Sequence, residues 1–276
     1  ITFDKLICKL FDKGHGIQKQ DRTRIINFLD TISKDKIEPY IEKCYQQLAR
    51  YVNAYQQKME MKREVIADKG IWTAKKRYIL NAYDVEGVRY EEPQLKIMGI
   101  EAVKSSTPAP CREKIKQALK IIMQSDEREL NTFIQEFRKE FFTLPIEEIA
   151  FPRSVNGIRK WSDPSSIYRK GSPMHIKGVI LYNYLLKDRE LTHKYPLINE
   201  GEKIKYIQLK QPNRLGSNVL SFITKLPKEL ELNEYIDHDS MFEKSFIEPL
   251  MFIINQVKWN IDRSYGTQST LDAFFT

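Results

Sequence analysis

The chain has few of the residues that build disulfide frameworks or zinc sites. Its 276 residues contain three widely spaced cysteines, Cys8, Cys44 and Cys111, with no CxxC pair, and only four scattered histidines. We expect reduced thiols, as in a cytosolic protein. No apolar run approaches the ~20 residues that a membrane span needs, and the N-terminus has no signal-peptide pattern. Phosphate-binding GxxxxGKS loops, HExxH and nucleophile elbows are also missing, so the sequence indicates no complete active site.

The chain has an excess of positive charge and the composition of a globular protein. Hydrophobic residues make up 41% and charged residues 30%, which is typical of a folded protein. The net charge is +8. Most of it lies in residues 151–189, where eight Lys or Arg face two acids, whereas residues 225–250 carry a net charge of −4. A local basic surface of this kind favours a polyanionic partner.

Apolar spacing divides the chain into several predicted elements. Residues 37–61 have helical spacing over more than six turns, with a tyrosine stripe that we interpret as core and rim packing rather than a stacking platform for bases. Residues 78–83 and 95–100 predict two strands of a hairpin, separated by a turn. The segment KSSTPAP at 104–110 is the candidate domain boundary.

The sequence predicts further helices and strands after the candidate domain boundary at 104–110, and one strand before the long helix. Helices are predicted at 111–123, 126–142 and 240–259, and Asp126 resembles the first residue of a capping box. Short strands are predicted at 204–209 and 219–223. At the other end, ITFDKLI at 1–7 reads as a strand already under way, as if a larger unit preceded it.

The segment KKRY, at Lys75, Lys76, Arg77 and Tyr78, sets three cations before an apolar run. Alternation along a strand places Lys75 and Arg77 on one face and Lys76 and Tyr78 on the other. One interpretation is a solvated strand end. The other is a DNA contact, in which a lysine probes the minor-groove acceptors that every Watson–Crick pair presents and so senses pairing without reading sequence.

The C-terminal QSTLDAFF carries the pattern QxxLxxFF, by which replication proteins bind a ring-shaped sliding clamp. In a 3₁₀ turn, Leu271, Phe274 and Phe275 form a compact apolar plug, while Gln268 hydrogen-bonds at its rim. The alternative is a terminal helix that docks its phenylalanines on the protein's own core.

The sequence offers few candidate metal ligands. Glu64, in MKREV, is the one candidate to coordinate or support Mg²⁺, although a lone carboxylate is usually a solvated one. Two-metal phosphoryl transfer needs at least two converging acids.

Three segments carry a resemblance to a known family. The run WTAKKRYILNAYDVEGVRYEEPQLKIMGIEAVKSSTP, the segment SPMHIKGVILYN and the segment KSFIEPL resemble the end of the palm and the thumb of replicative family B DNA polymerases of T-even-like bacteriophages. The resemblance spans essentially the whole chain and is weakest at 144–170 and 186–226. It implies an α+β fold, in which a palm portion with a long helix and antiparallel strands precedes a mostly helical thumb with a small β subregion.

The resemblance also implies roles for individual residues. Those implied to contact primer–template DNA are Lys75, Lys76, Arg77, Tyr78, Lys104, Ser105, Ser106, Thr107, His175 and Lys177. Glu64 matches a palm carboxylate near the metals, but Lys62 stands where the family has an acidic residue, which weakens a direct metal role. Gln268, Leu271, Phe274 and Phe275 match the family's clamp-binding C-terminus.

The domains that follow from the resemblance are the end of the palm (1–103), the thumb (104–266) and a clamp-binding tail (267–276). In the family, a YGDTDS motif with an essential metal ligand precedes the stretch that matches the start of this chain. The exonuclease domain, the fingers and the metal-binding palm aspartates are therefore expected on a separate N-terminal part, as in a split enzyme or a piece of an intact polymerase.

The expected function is the DNA-binding palm and thumb portion of a DNA-directed DNA polymerase in the cytoplasm of an infected bacterial host. Its expected partners are primer–template DNA, dNTP, the N-terminal part and the sliding clamp, with Mg²⁺ as cofactor and no membrane. The chain alone is expected to be inactive. The rival hypothesis is a non-enzymatic DNA-binding adaptor that recruits the clamp.

Overall fold

The computed structural model describes residues 3–11, 21–100, 104–161 and 171–262. The helices, in chain order, are α1 (Asp4–Phe11), α2 (Arg22–Ile32), α3 (Glu38–Tyr51), α4 (Ala109–Gln124), α5 (Glu127–Phe141), α6 (Ile146–Ile149), α7 (Met174–Asp188), α8 (His238–Phe242) and α9 (Glu248–Val257). The strands are β1 (Val65–Ala74), β2 (Arg77–Val85), β3 (Val88–Met98), β4 (Phe151–Ser154), β5 (Lys203–Gln208) and β6 (Val219–Phe222). Within these ranges, no helix is both long and apolar enough to cross a bilayer.

The predicted α+β fold is confirmed. One three-stranded sheet has the order β1-β2-β3 and the other the order β4-β5-β6. In the second sheet both pairs are antiparallel, with Phe151 opposite Tyr206 and Tyr206 opposite Ser221. The predicted helices at 111–123 and 126–142 are α4 and α5, and the Asp126 side chain caps α5 by accepting hydrogen bonds from the backbone N–H groups of Arg128 and Glu129.

The predicted N-terminal strand at 1–7 is wrong, because residues 4–11 form α1. Short apolar runs do not separate strand from helix by periodicity alone. The spacing of Phe3, Ile7 and Phe11 also fits a helix: Ile7 N–H donates to the Phe3 carbonyl at 2.9 Å, and the Phe11 ring packs edge-on against Phe28 at 5.7 Å.

The long helix predicted at 37–61 is displaced towards the N-terminus. The chain is helical from the start of α2, through a π-helical turn at Ser33–Ile37, to Tyr51 at the end of α3. It stops there because Asn53 takes a left-handed conformation (φ +53°), which asparagine tolerates better than most residues, and its N–H donates back to the Arg50 carbonyl. The tyrosine stripe predicted as packing is largely exposed: Tyr40 is 68% and Tyr51 86% accessible.

The chain divides into two compact units. Unit 1 comprises Ile1–Gly70 with Ile79–Lys96, and unit 2 comprises Ile71–Tyr78 with Ile97–Thr276. These units are defined by contacts, so the expected palm–thumb boundary between residues 103 and 104 stays a prediction.

Unit 1 has a small apolar core and a buried ion-pair network. Ile26, Ile66 and Tyr83 form its buried cluster. Beside them, Arg63 pairs with Asp30 at 2.9 Å and with the almost fully buried Asp84 at 2.6 Å. Since a buried carboxylate that loses its partner is costly, Arg63 holds together the helix and the strand that carry the two acids.

Unit 2 has a larger core that is rich in aromatic residues. Phe137, Phe141, Phe242 and Phe246 are all buried, with ring centroids 4.7 to 6.0 Å apart. The second sheet is covered by α7, whose Gly178 lies against β6. This close packing positions the basic segment described below.

Candidate nucleic-acid interface

Lys75 and Lys76 form the two-residue turn between β1 and β2. The expected strand alternation of KKRY is therefore wrong for these two residues, and of the pair only Lys76 has a positive φ (+62°). Arg77 begins β2, and Thr73 Oγ1 donates to its carbonyl at 3.4 Å. The three cations are exposed and Tyr78 is half-buried. The hairpin end thus presents a compact positive charge to solvent.

Gly99 packs directly against this turn and was missed by the sequence reasoning. A Cβ built on Gly99 would collide with the Lys76 carbonyl oxygen and lie 3.1 Å from Arg77 Cγ. The residue also has a φ of +67°, which glycine adopts without steric cost. A lone glycine at the end of a predicted strand was the available signal, since it marks a close approach of backbone segments.

Glu64, the candidate metal ligand, is exposed and paired with Lys96. Lys62 forms its own exposed pair with Glu60 at 2.6 Å. No group of three or more His, Cys, Asp or Glu within the described ranges is placed to hold a metal ion. These residues do not form a Mg²⁺ site by themselves, and the expected Mg²⁺ needs ligands from elsewhere.

The junction residues Lys104 to Thr107 form a turn that leads into α4. Thr107 N–H donates to the Lys104 carbonyl at 3.2 Å, and Thr107 is buried. Helix α4 begins after Pro108 without a side-chain cap, so the N–H groups of its first turn have no side-chain acceptor, except at Pro110, which has no N–H. The arrangement is able to hold an anion such as a phosphate.

A cavity of about 520 Å³ lies beside this helix start. Its lining includes Ser105, Thr107, Arg112, Glu147 and Lys205. The Nε of Arg112 is buried without a hydrogen-bond partner, and Lys205 Nζ donates to the Glu147 carbonyl at 2.7 Å. Sequence reasoning identified the turn but neither Arg112, which lies in α4 directly after it, nor Lys205, which only the fold brings to this place from β5.

His175 and Lys177 lie in the first turn of α7, which also starts without a side-chain cap. The His175 carbonyl accepts a hydrogen bond from Ser221 Oγ at 2.8 Å. A Cβ on Gly178 would lie only 2.7 Å from the Ser221 backbone nitrogen, so glycine lets α7 approach β6 more closely than any other residue allows. The sequence HIKG therefore fixes the start of α7 on the sheet.

Arg153 and Tyr206 meet His175 at this place. The rings of His175 and Tyr206 are 6.4 Å apart, and Tyr206 stacks on Phe151 at 5.0 Å. Burial, followed by the positive charge of Arg153, lowers the pKa of His175. Burial also raises the pKa of Tyr206, while Arg153 acts in the opposite direction. The lowered pKa favours the neutral form of His175, so the positively charged side chains at this place are those of Arg153 and Lys177.

The predicted clamp-binding residues, Gln268, Leu271, Phe274 and Phe275, lie outside the described residues. Their role stays a prediction from the sequence.

Exposed cations at a hairpin end, together with two uncapped helix starts that lie beside cations, are typical of proteins that bind nucleic-acid backbones. No protein-family model matches the chain. It is 33% identical over 288 residues to the DNA-directed DNA polymerase of Enterobacteria phage T4, a match that covers 100% of this chain and 30% of that polymerase. It is also 34% identical over 268 residues to the DNA-directed DNA polymerase of Escherichia phage RB69, covering 92% of this chain and 29% of that polymerase.

The resemblance to a C-terminal portion of a T-even-like phage DNA polymerase is therefore confirmed. The chain spans about three-tenths of the length of these relatives.

Proposed function

We propose that this chain is the palm-end and thumb portion of a replicative DNA-directed DNA polymerase of family B. It binds primer–template duplex, positions the primer 3′ end and tethers the enzyme to its sliding clamp, in the cytoplasm of an infected bacterial host. The observation that carries the proposal is the match of the whole chain to part of two phage polymerases.

The exposed hairpin end supports a role at the primer terminus. A two-residue turn is narrow, and it brings Lys75 and Lys76 next to Arg77 with their side chains in solvent. Lysines presented in this way are able to reach the minor groove, where purine N3 and pyrimidine O2 accept hydrogen bonds in every correct pair. Tyr78, the second residue of β2, is half-buried directly after the three cations.

The starts of α4 and α7 support contacts to the duplex backbone. Each offers N–H groups that no side chain caps, with Lys104 to Thr107 beside one and His175 and Lys177 beside the other. Contacts of this kind set orientation and register without reading sequence, as a polymerase requires.

Polymerase activity also requires the rest of the enzyme. We call it the complementary polymerase part, meaning the polypeptide from the same source that corresponds to the remaining length of the relatives. It supplies the exonuclease domain, the fingers and the palm aspartates that hold Mg²⁺ and dNTP, with Glu64 at most a supporting carboxylate. The tail holds the assembly on the clamp, which raises its effective concentration at the template.

Primer extension tests this proposal. The chain and the complementary polymerase part are expressed separately and assayed with a primed template, alone and together. Extension that requires both polypeptides is the expected result. If the mixture extends no better than either polypeptide alone although the chain still binds duplex DNA, the adaptor hypothesis replaces the polymerase.

A further inference from the structure

One face of α3 exposes large apolar side chains that this chain leaves uncovered. Tyr40, Leu48 and Tyr51 lie within about 80° of one another around a helix of 3.6 residues per turn, and Tyr55 follows just beyond the helix end. Their side chains are 68%, 46%, 86% and 104% accessible, in that order. We call these four residues the tyrosine face. Ala49, on the opposite side of α3, is buried.

The tyrosine face belongs to a unit whose own core is small. The buried cluster of unit 1 contains Ile26, Ile66 and Tyr83 with Leu29 packed against it. Most of the large apolar side chains that are exposed within the described ranges also belong to unit 1, among them Val52 just after the end of α3. Contiguous apolar exposure of this kind marks an interaction surface rather than ordinary surface scatter.

The composition of the tyrosine face favours a protein partner over a nucleic acid. Tyrosine is enriched at protein interfaces, where its apolar ring is buried and its hydroxyl reaches the rim. Leu48 and Val52 gain free energy from burial against apolar side chains but offer bases no aromatic ring to stack on. Lys43 and Arg50 lie at one edge of the tyrosine face, where interface rims are polar.

We propose that the tyrosine face is the docking surface for the complementary polymerase part. The inference rests on the proposed function and adds to it the place where the two parts meet. The relatives have about seven-tenths of their length outside the region that this chain matches. That protein must be held against this chain for one enzyme to form, and the tyrosine face exposes four large side chains in a unit whose own buried cluster is small.

The test measures association of the full chain with the complementary polymerase part by isothermal titration calorimetry. The variant Leu48→Ser with Tyr51→Ser removes two central side chains of the tyrosine face, and we expect its Kd to rise at least tenfold. The matched control, Tyr184→Ser with Phe252→Ser, removes two side chains that are exposed elsewhere (54% and 59%) and should change Kd less than twofold. Circular dichroism checks that both variants fold, which is expected since all four positions are exposed.

A second measurement uses the unmodified protein. Cys44 lies on the same side of α3 as the tyrosine face and is only partly buried. Its alkylation by iodoacetamide, followed by mass spectrometry, should slow when the complementary polymerase part is bound.

Each contrary result has its own meaning. Unchanged Kd in the tyrosine-face variant, with unprotected Cys44, overturns this inference but leaves the proposed function standing. A complete lack of association between the unmodified parts overturns both the inference and the two-part enzyme. If the variant instead loses self-association, or loses duplex affinity without any change in Kd for the protein partner, the occupant is a second copy or DNA and the inference is wrong.

Discussion

At the scale of single residues, the backbone conformation of Lys76 exposes its charged side chain at the hairpin end. Lys76 holds a left-handed conformation (φ +62°) that an L-residue adopts only at some cost in a tight turn. The turn exposes its side chain beyond the ends of both strands. Strained residues of this type often occur at functional sites, where the surrounding structure holds them in place.

Replacing Lys76 by alanine tests the role of this side chain. Lys76→Ala keeps an L-residue at the same φ, so the turn should persist while the ammonium group is lost. We expect primer extension by the assembled enzyme to fall about tenfold, with a change of less than about threefold in duplex Kd, because a minor-groove contact near the 3′ end aligns the primer more than it adds affinity. Single-turnover extension and fluorescence anisotropy measure the two quantities.

Lys120→Ala, which removes an exposed cation from α4, is the control and should leave extension unchanged. The prediction fails if Lys76→Ala lowers extension and duplex affinity equally and if a lower salt concentration restores both. Lys76 would then be one phosphate contact among others.

Gly99 is the second prediction at this scale. Gly99→Ala should displace the Lys75–Lys76 turn, because the new Cβ collides with the Lys76 carbonyl in a conformation that alanine itself disfavours. We expect a loss of extension comparable to that of Lys76→Ala although no charge is removed. Gly87→Ala is a matched control: it has a φ of +90° in the β2–β3 turn, but its Cβ would meet nothing within 4 Å. If the two variants behave alike, the collision with the turn is unimportant.

At the scale of elements, α7 and β6 depend on one close approach. Gly178→Ala places a methyl group 2.7 Å from the Ser221 nitrogen and 3.0 Å from the Leu220 carbonyl carbon, which are backbone atoms of a buried strand. We expect a loss of about 1–3 kcal/mol in the free energy of unfolding, as for other overpacked sites. Tyr184→Ala, on the exposed side of α7, should change it by less than about 0.5 kcal/mol. Urea denaturation measures both, and equal stabilities would show that α7 shifts freely on the sheet.

The C-terminal tail is an element predicted from the sequence alone. Phe274→Ala with Phe275→Ala should abolish binding to the sliding clamp, because these rings form most of the apolar plug of QxxLxxFF. Synthesis without the clamp should be unaffected. Surface plasmon resonance on immobilised clamp measures the affinity. Unaltered binding would favour the alternative, in which the phenylalanines of the tail dock on the protein's own core.

The elements also show where sequence reasoning succeeds and where it fails. Helices α4 and α5 are predictable because proline and an Asp126 cap mark their starts, and β5 and β6 because their short runs are strand-like. The KKRY turn was missed because no Gly, Asn or Asp announces it. Arg153 and Arg112 were not assigned to the candidate site because their neighbours there, Tyr206 and Lys205, come from a strand distant in sequence.

At the scale of the whole molecule, charge is divided along the chain. The basic segment at 151–189 carries a net charge of +6 and the acidic segment at 225–250 one of −4, so the rest of the chain carries the other +6 of the net charge of +8. Of these two segments, only the basic one contributes residues to the candidate interface, at Arg153 and at the start of α7. The acidic segment should repel a polyanion, so a duplex is directed to one part of the surface.

The salt dependence of duplex binding tests this division of charge. For the chain alone, Arg153→Gln with Lys177→Gln should reduce the magnitude of the slope of log K against log salt concentration by about 2, because each lost phosphate contact removes about 0.9 from the slope for duplex DNA. Lys225→Gln with Lys228→Gln removes the same net charge from the acidic segment and should leave the slope unchanged. Fluorescence anisotropy with a labelled primer–template at several NaCl concentrations gives both slopes. Equal reductions in the two variants would mean that DNA responds to the net charge of the molecule, and the interface at the start of α7 would then have no special part in binding.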